Sequence, residues 1–128
     1  MTADKVVDAS ALAAVLLDET PADMIWARLR EHRLAAPALL PCEVVNACLK
    51  KAKAYPEKGA LFLAAIDRLC RIPIEIVEVD FRAILPLALR HQLSAYDAAY
   101  LWLALEMNAE LVTLDSRLGR AYSALARG

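Results

Sequence analysis

Apolar positions along the chain recur in two rhythms, short β-branched runs and longer stretches with the three-to-four-residue spacing of a helix. Lys5-Val6-Val7 is a run of the first kind; it stops at Asp8 and passes into Ala9-Ser10-Ala11-Leu12, so a buried strand turning straight into a helix is expected. Thr20 as N-cap with Pro21 at the first helical position opens a second helix, with Ala22, Ile25, Trp26 and Leu29 on one face and its end among Arg28, Arg30, Glu31 and Arg33. Leu34 to Ala36 reads as a short strand. Pro41 begins a helix whose apolar face is Val45, Cys48, Leu49 and Ala52; Lys50, Lys51 and Lys53 mark its end, and Tyr55-Pro56 closes it. Phe62, Ala65, Ile66 and Leu69 carry a further helix to about Arg71. Ile74 to Val79, after Pro73, is the clearest strand of the chain. Asp80 caps a helix with Phe81, Ile84, Leu85 and Ala88 on one side, which Pro86 should kink or split near Leu85. Ser94 to Met107 is apolar nearly all round, hence central or covered by another chain. Glu110 to Leu114 reads as the last strand, and Asp115 onward as one or two short helices ending at Arg127.

Strands alternating with helices imply βαβ units, a parallel sheet and a three-layer α/β architecture. Composition narrows this to one domain over residues 1–128, since 59% of the residues are apolar and only three are Gly. An apolar share above the usual ~45–50% excludes disorder and loop-rich scaffolds. Fifteen Lys and Arg against sixteen Asp and Glu give a formal charge of −1, which argues against a protein holding nucleic acid by bulk charge. Cys42, Cys48 and Cys70 form no CxxC, and His32 and His91 stand alone; buried thiols in a reducing cytoplasm are expected rather than a zinc site. Met1 to Val7 carries no long apolar stretch, so neither signal peptide nor membrane anchor is expected. Trp26, Tyr100 and Trp102 lie in apolar stripes and read as core or interface. Gly59, Gly119 and Gly128 make no phosphate-cradling pattern.

Candidate chemistry enters with the acids. In an open parallel sheet the binding crevice lies beyond the carboxyl ends of the strands, where Asp8 and Asp115 fall; Glu43 and Asp97 sit in first helical turns. Each has a structural alternative. Ser94 with Asp97 fits a capping box, Glu43 complements a helix dipole, and Asp8 and Asp115 fit N-caps. Together, however, acids on successive β-α junctions converge on one edge of the sheet and repel, which a divalent cation relieves. Mg²⁺ takes hard oxygen ligands and suits phosphodiester hydrolysis.

Four segments carry a resemblance: Val6-Val7-Asp8-Ala9-Ser10, Pro41-Cys42-Glu43-Val44-Val45-Asn46, Ser94-Ala95-Tyr96-Asp97-Ala98-Ala99-Tyr100-Leu101 and Leu111-Val112-Thr113-Leu114-Asp115. In order and spacing they resemble the four acidic motifs of the PIN domain, and most of all the VapC-like toxin ribonucleases of type II toxin–antitoxin modules. The resemblance implies a sheet of order 3-2-1-4 or an extension of it, and a cytoplasmic endoribonuclease dependent on Mg²⁺ or Mn²⁺. It makes Asp8, Glu43 and Asp97 the metal-binding triad with Asp115 as a fourth carboxylate, and Ser10 and Thr113 hydroxyls that orient a carboxylate, water or phosphate. It also implies a homodimer and a cognate antitoxin whose C-terminal segment lies in an apolar groove. Pro86 and the short chain after Asp115 depart from the family pattern.

Arg117 and Arg120, which follow Asp115, are the better candidates for contact with RNA; Arg28, Arg30, Arg33 and the Lys50 group read as solvated helix faces. Two other classes remain open: a PIN-like scaffold that binds RNA or protein without cutting, and a Mg²⁺-dependent phosphoacceptor signalling domain. The latter normally needs adjacent acids after the first strand and a Lys after a late strand, and the sequence has neither. The charge of −1 becomes +3 once the four candidate carboxylates are set aside, so near-neutrality conceals a modestly basic body around an acidic pocket.

Overall fold

The computed structural model describes residues 3–126, so the readings of Met1, Arg127 and Gly128 lie outside it. At its centre is β1 (Lys5–Val7), whose Val6 and Val7 are fully buried. β2 (Leu34–Pro37) and β4 (Glu110–Val112) flank it, and β3 (Ile74–Val77) lies outside β2. The order is therefore β3-β2-β1-β4, as the resemblance implies, and every pairing is parallel, with Val6 opposite both Ala35 and Leu111. A strand with neighbours and helices on all sides is apolar where it is enclosed, which explains the burial of Val6 and Val7 in β1 and of all four residues of β2.

The helices form two layers. α1 (Ala9–Leu16), α2 (Ala22–Leu29), α3 (Leu40–Ala54) and α4 (Gly59–Arg71) pack on one another, and α5 (Phe81–His91), α6 (Ala95–Glu106) and α7 (Ser116–Ala126) make the opposing layer. α6 lies against β1, β2 and β4 as well as α5 and α7. Ala98, Ala99, Leu101, Leu103 and Ala104 are buried there, so its all-round apolarity reflects a central position. Ala35 and Ala36, both fully buried, leave the room a close helix needs.

Several elements differ from the pattern-based expectation. Pro21, not Thr20, is the N-cap of α2, and no side chain caps that helix. The core face of α3 is Leu40, Val44 and Cys48, whereas Val45 and Leu49 are about half exposed; the two stripes are adjacent and equally apolar, so periodicity does not choose between them. β3 stops at Val77 and β4 at Val112, where backbone pairing ends although the apolar run continues. α5 runs unbroken through Pro86. Pro86 and Arg82 both face solvent, so the Arg82 carbonyl left without its helical donor meets water rather than an apolar interior. A single helix follows Asp115. Trp26 is 40% exposed, and of the three cysteines only Cys48 is buried, Cys42 and Cys70 being exposed. Among the described residues no helix is long and apolar enough to cross a membrane.

Candidate active site

Asp8 is the first residue past β1 and the N-cap of α1. It is also the only polar or charged residue among the buried ones described, at 3% exposure. Its Oδ1 accepts the Ala11 N–H at 3.0 Å and the Ser10 hydroxyl at 2.7 Å, and its Oδ2 accepts the Thr113 hydroxyl at 2.5 Å. A carboxylate offers about four lone-pair directions. Three are filled, and the open one lies on Oδ2.

Ser10 and Thr113 each give their single hydroxyl proton to Asp8, so their own 3.4 Å approach lacks a donor. Both act as acceptors in turn. Ser10 Oγ takes the Leu114 N–H and Thr113 Oγ1 takes the Asp115 N–H, each at 3.0 Å. The two hydroxyls thereby couple the loop after β4 to the end of β1. Asp115 occupies that loop and its Oδ1 receives the Leu118 N–H at 2.9 Å, capping α7. The capping roles of Asp8 and Asp115 are real and coexist with a shared position beyond the strand ends.

Glu43 lies in the first turn of α3 and Asp97 in the first turn of α6, where Ser94 is the N-cap and accepts the Asp97 N–H at 3.0 Å. Glu43 Oε1 accepts the hydroxyl of Tyr100 at 2.7 Å. Tyr100 is 1% exposed, as a core residue should be, but its polar tip sits inside the site. Its position three residues after Asp97, on the same side of one helix, was the available signal.

Burial pushes the Asp8 carboxyl above its ordinary range, partly offset by the Thr113, Ala11 and Ser10 donors and reinforced by the charge of Asp115. Burial likewise raises Glu43, with Asp8 adding repulsion. Burial and then the charges of Asp115, Asp8 and Glu43 raise Asp97. Tyr100 is driven strongly upward by burial and by Glu43, so its proton stays on and is donated. The four carboxylates thus share one electrostatic environment, and no Lys or Arg ranks among the groups acting on Asp8, Glu43 or Asp97. Among the described residues no three His, Cys, Asp or Glu side chains close up into a metal cage. A hard, largely hydrated cation such as Mg²⁺ needs only one or two carboxylates and completes its shell with water. The uncompensated charge and the all-oxygen donor set fit such an ion.

A cavity of about 320 Å³ opens beside the cluster, lined by Ser10, Glu43, Asn46 and Lys50 with Glu19 at its rim. Glu19 is fixed there by Lys51 at 2.7 Å. Lys50 therefore borders the site rather than only a solvated helix face. Arg117 donates to the Gln92 carbonyl at 3.3 Å, tying α7 to the end of α5, while Arg120 lines a separate, larger cavity that Thr113 also borders.

No curated protein matches the chain. A solved structure, PAE2754 from Pyrobaculum aerophilum, is similar over 99% of this chain and 95% of its own, with 26% identity and a TM-score of 0.77. The PIN domain family model matches residues 5–124. That span runs from β1 to the last turns of α7 and includes all four acids, and the chain belongs to the PIN domain family.

Proposed function

We propose that this PIN domain, taken as one domain over residues 1–128, is a metal-dependent endoribonuclease and the toxin component of a toxin–antitoxin module. PIN domains are in general nucleases. The observation that carries the finer reading is the mutual repulsion that links Asp8, Glu43, Asp97 and Asp115 from four separate β-α or loop-helix junctions, with no Lys or Arg ranking among the groups that act on the first three. Asp8 and Asp97 would hold Mg²⁺ or Mn²⁺, with Glu43 and Asp115 completing the acidic set. Bound there, the ion would supply Lewis-acid stabilisation of the phosphate and an activated water.

The chain's own residues do the positioning. Ser10 and Thr113 hold the Asp8 carboxylate in one rotamer by bonding both its oxygens, leaving one lone pair of Oδ2 open. Tyr100 fixes Glu43 through Oε1, so Oε2 is the free atom that can accept a proton from water. Lys50 and Asn46 line the adjoining cavity as partners for substrate phosphate or sugar.

Support for protein partners is the apolar surface left uncovered. Phe81, Leu85 and Leu89 form an exposed stripe along α5 at helical spacing, suited to a second copy of the chain. Val45, Leu49, Ala52, Leu63 and Ile66 line a groove between α3 and α4 suited to an apolar segment of an antitoxin. A cytoplasmic location follows from the ribonuclease reading.

The test is cleavage of a panel of structured RNAs by the purified protein in Mg²⁺ or Mn²⁺, alongside Asp8→Asn and Asp97→Asn. Metal-dependent cuts that fall at least ~100-fold in each variant are expected, the loss typical of removing one preorganised group. Equal cleavage by all three proteins, or binding without cutting by a folded wild type across the panel, would overturn the nuclease assignment and leave the scaffold reading.

A further inference from the structure

β4 is one of the two edges of the sheet. Glu110 and Val112 bond to β1, the Glu110 N–H to the Asp4 carbonyl and the Val112 carbonyl to the Asp8 N–H, so alternation turns the backbone of Leu111 away from the sheet. Beside this edge, between α2 and α7, lies a groove of about 660 Å³ bordered by Arg28, Glu110, Leu111, Thr113, Arg120 and Tyr122. That volume is within the ~300–1,000 Å³ range of ligand sites. At one end of β4 the groove reaches Thr113, whose hydroxyl is bonded to Asp8; at the other it reaches the Arg28–Glu110 pair.

Resting on the nuclease reading, we propose that this groove holds the stretch of single-stranded RNA that flanks the phosphate to be cut, with Arg120 and Arg28 on its backbone phosphates. Continuity is the first reason. The cavity containing Lys50 meets the acidic cluster at Ser10 and Glu43 and the β4 groove meets it at Thr113, and both hydroxyls bond Asp8, so the two openings border the same carboxylate. A strand whose phosphate lies at Asp8 runs past Lys50 in one direction and along β4 in the other.

Charge is the second reason. Arg28 and Lys5 both approach Glu110, at 2.6 and 3.5 Å, so the single acid of the groove is already neutralised and positive charge remains in excess with Arg120. Length is the third. From Glu110 to Thr113 the edge spans roughly 10 Å at about 3.3 Å per residue, enough for one or two nucleotides. A peptide strand adding to this edge is disfavoured, because the Tyr122 hydroxyl already donates to the Ala109 carbonyl at 3.2 Å and shortens the run of backbone groups free for a ladder.

The experiment measures binding of a labelled single-stranded oligoribonucleotide in Mg²⁺ by fluorescence anisotropy across a salt series, using the Asp97→Asn protein so that cleavage does not intrude. Arg120→Gln and Ser123→Glu are then added singly to that background, Ser123 also bordering the groove. The control, Arg71→Gln, removes a cation next to β3, at the opposite edge of the sheet. Arg120→Gln is expected to weaken binding roughly five- to tenfold and to lower the log–log salt slope by about one. Ser123→Glu should weaken it comparably and Arg71→Gln should change neither quantity. RNA bound with unchanged affinity and slope in both groove variants, as when the groove serves a peptide, overturns this inference and leaves the nuclease reading standing. Failure of the parent protein to bind any RNA, while wild type also cuts none, overturns both.

Discussion

Tyr100 shows how one residue serves two environments. Its ring fills the core against the sheet while its hydroxyl donates to Glu43, and a buried hydroxyl is retained only where it has such a partner. Tyr100→Phe keeps the ring and removes the donor. Fold stability should then drop by about 1 kcal/mol, whereas the Mn²⁺ concentration needed for half-maximal cleavage should rise roughly tenfold because Glu43 loses its orienting bond. A metal titration of activity beside urea unfolding separates the two effects; an unchanged metal requirement would reduce Tyr100 to a packing residue. The four acids themselves were legible from position along the chain, since each follows a strand or opens a helix. Of the partners that orient them, Ser10 and Thr113 are legible only through the family resemblance, and Tyr100 reads as core or interface alone. Thr113 and Asp8 are 105 residues apart, and no local pattern announces that a hydroxyl and a carboxylate at that separation will bond.

At the scale of elements, periodicity located the helices and strands but not always their inward faces or ends. α3 turned one apolar stripe inward and left Val45 and Leu49 on its neighbour exposed, because the positions of α1 and α4, against which α3 packs, decide which stripe is covered. α5 tolerates Pro86 on its wet side. Pro86→Ala should therefore stabilise the protein by about 1–2 kcal/mol, the recovered helical bond being partly offset by a freer unfolded chain; the urea midpoint should rise with an unchanged slope.

The tie between α2 and β4 through Arg28 and Glu110 makes a second prediction at this scale. The Arg28 hydrogen bond holds the Glu110 carboxyl below its usual range, with Lys5 adding to it. A carboxyl whose folded pKa lies below its unfolded value, about 4.3, contributes stability that is complete above that value and disappears as pH falls through the lower folded one. Both partners are 44% exposed, so screening limits the contribution to about 1 kcal/mol or less. Glu110→Gln should lose that much at neutral pH and match wild type in strong acid, as followed by thermal unfolding from pH 7 downward. A difference that persisted in acid would assign the loss to packing instead.

Taken as a whole, the molecule places like charge where its backbone converges. Parallel strands bring their carboxyl ends to one edge, and Asp8, Glu43, Asp97 and Asp115 meet there at the cost of mutual repulsion. A divalent cation that binds only the folded arrangement should stabilise it by RT ln(1 + [L]/Kd), about 2.7 kcal/mol at a hundredfold excess over Kd. For a domain of this size the melting temperature should then rise by several degrees. Calorimetry in Mg²⁺ against NaCl of equal ionic strength checks this, and Asp97→Asn should shrink the difference; equal shifts in the two salts would mean general screening only.

The sequence by itself determined the α/β class, the succession of elements and the four acidic positions, because the rhythm of apolar residues and the residues that follow strands are local properties of the chain. Only the tertiary structure decided that Ser10 and Thr113 close on Asp8 from two sides, that Tyr100 reaches Glu43, and that a basic groove runs along the free edge of β4. Those depend on which segments become neighbours, and neighbours in a parallel sheet are set by packing across long stretches of chain rather than by anything the residues say locally.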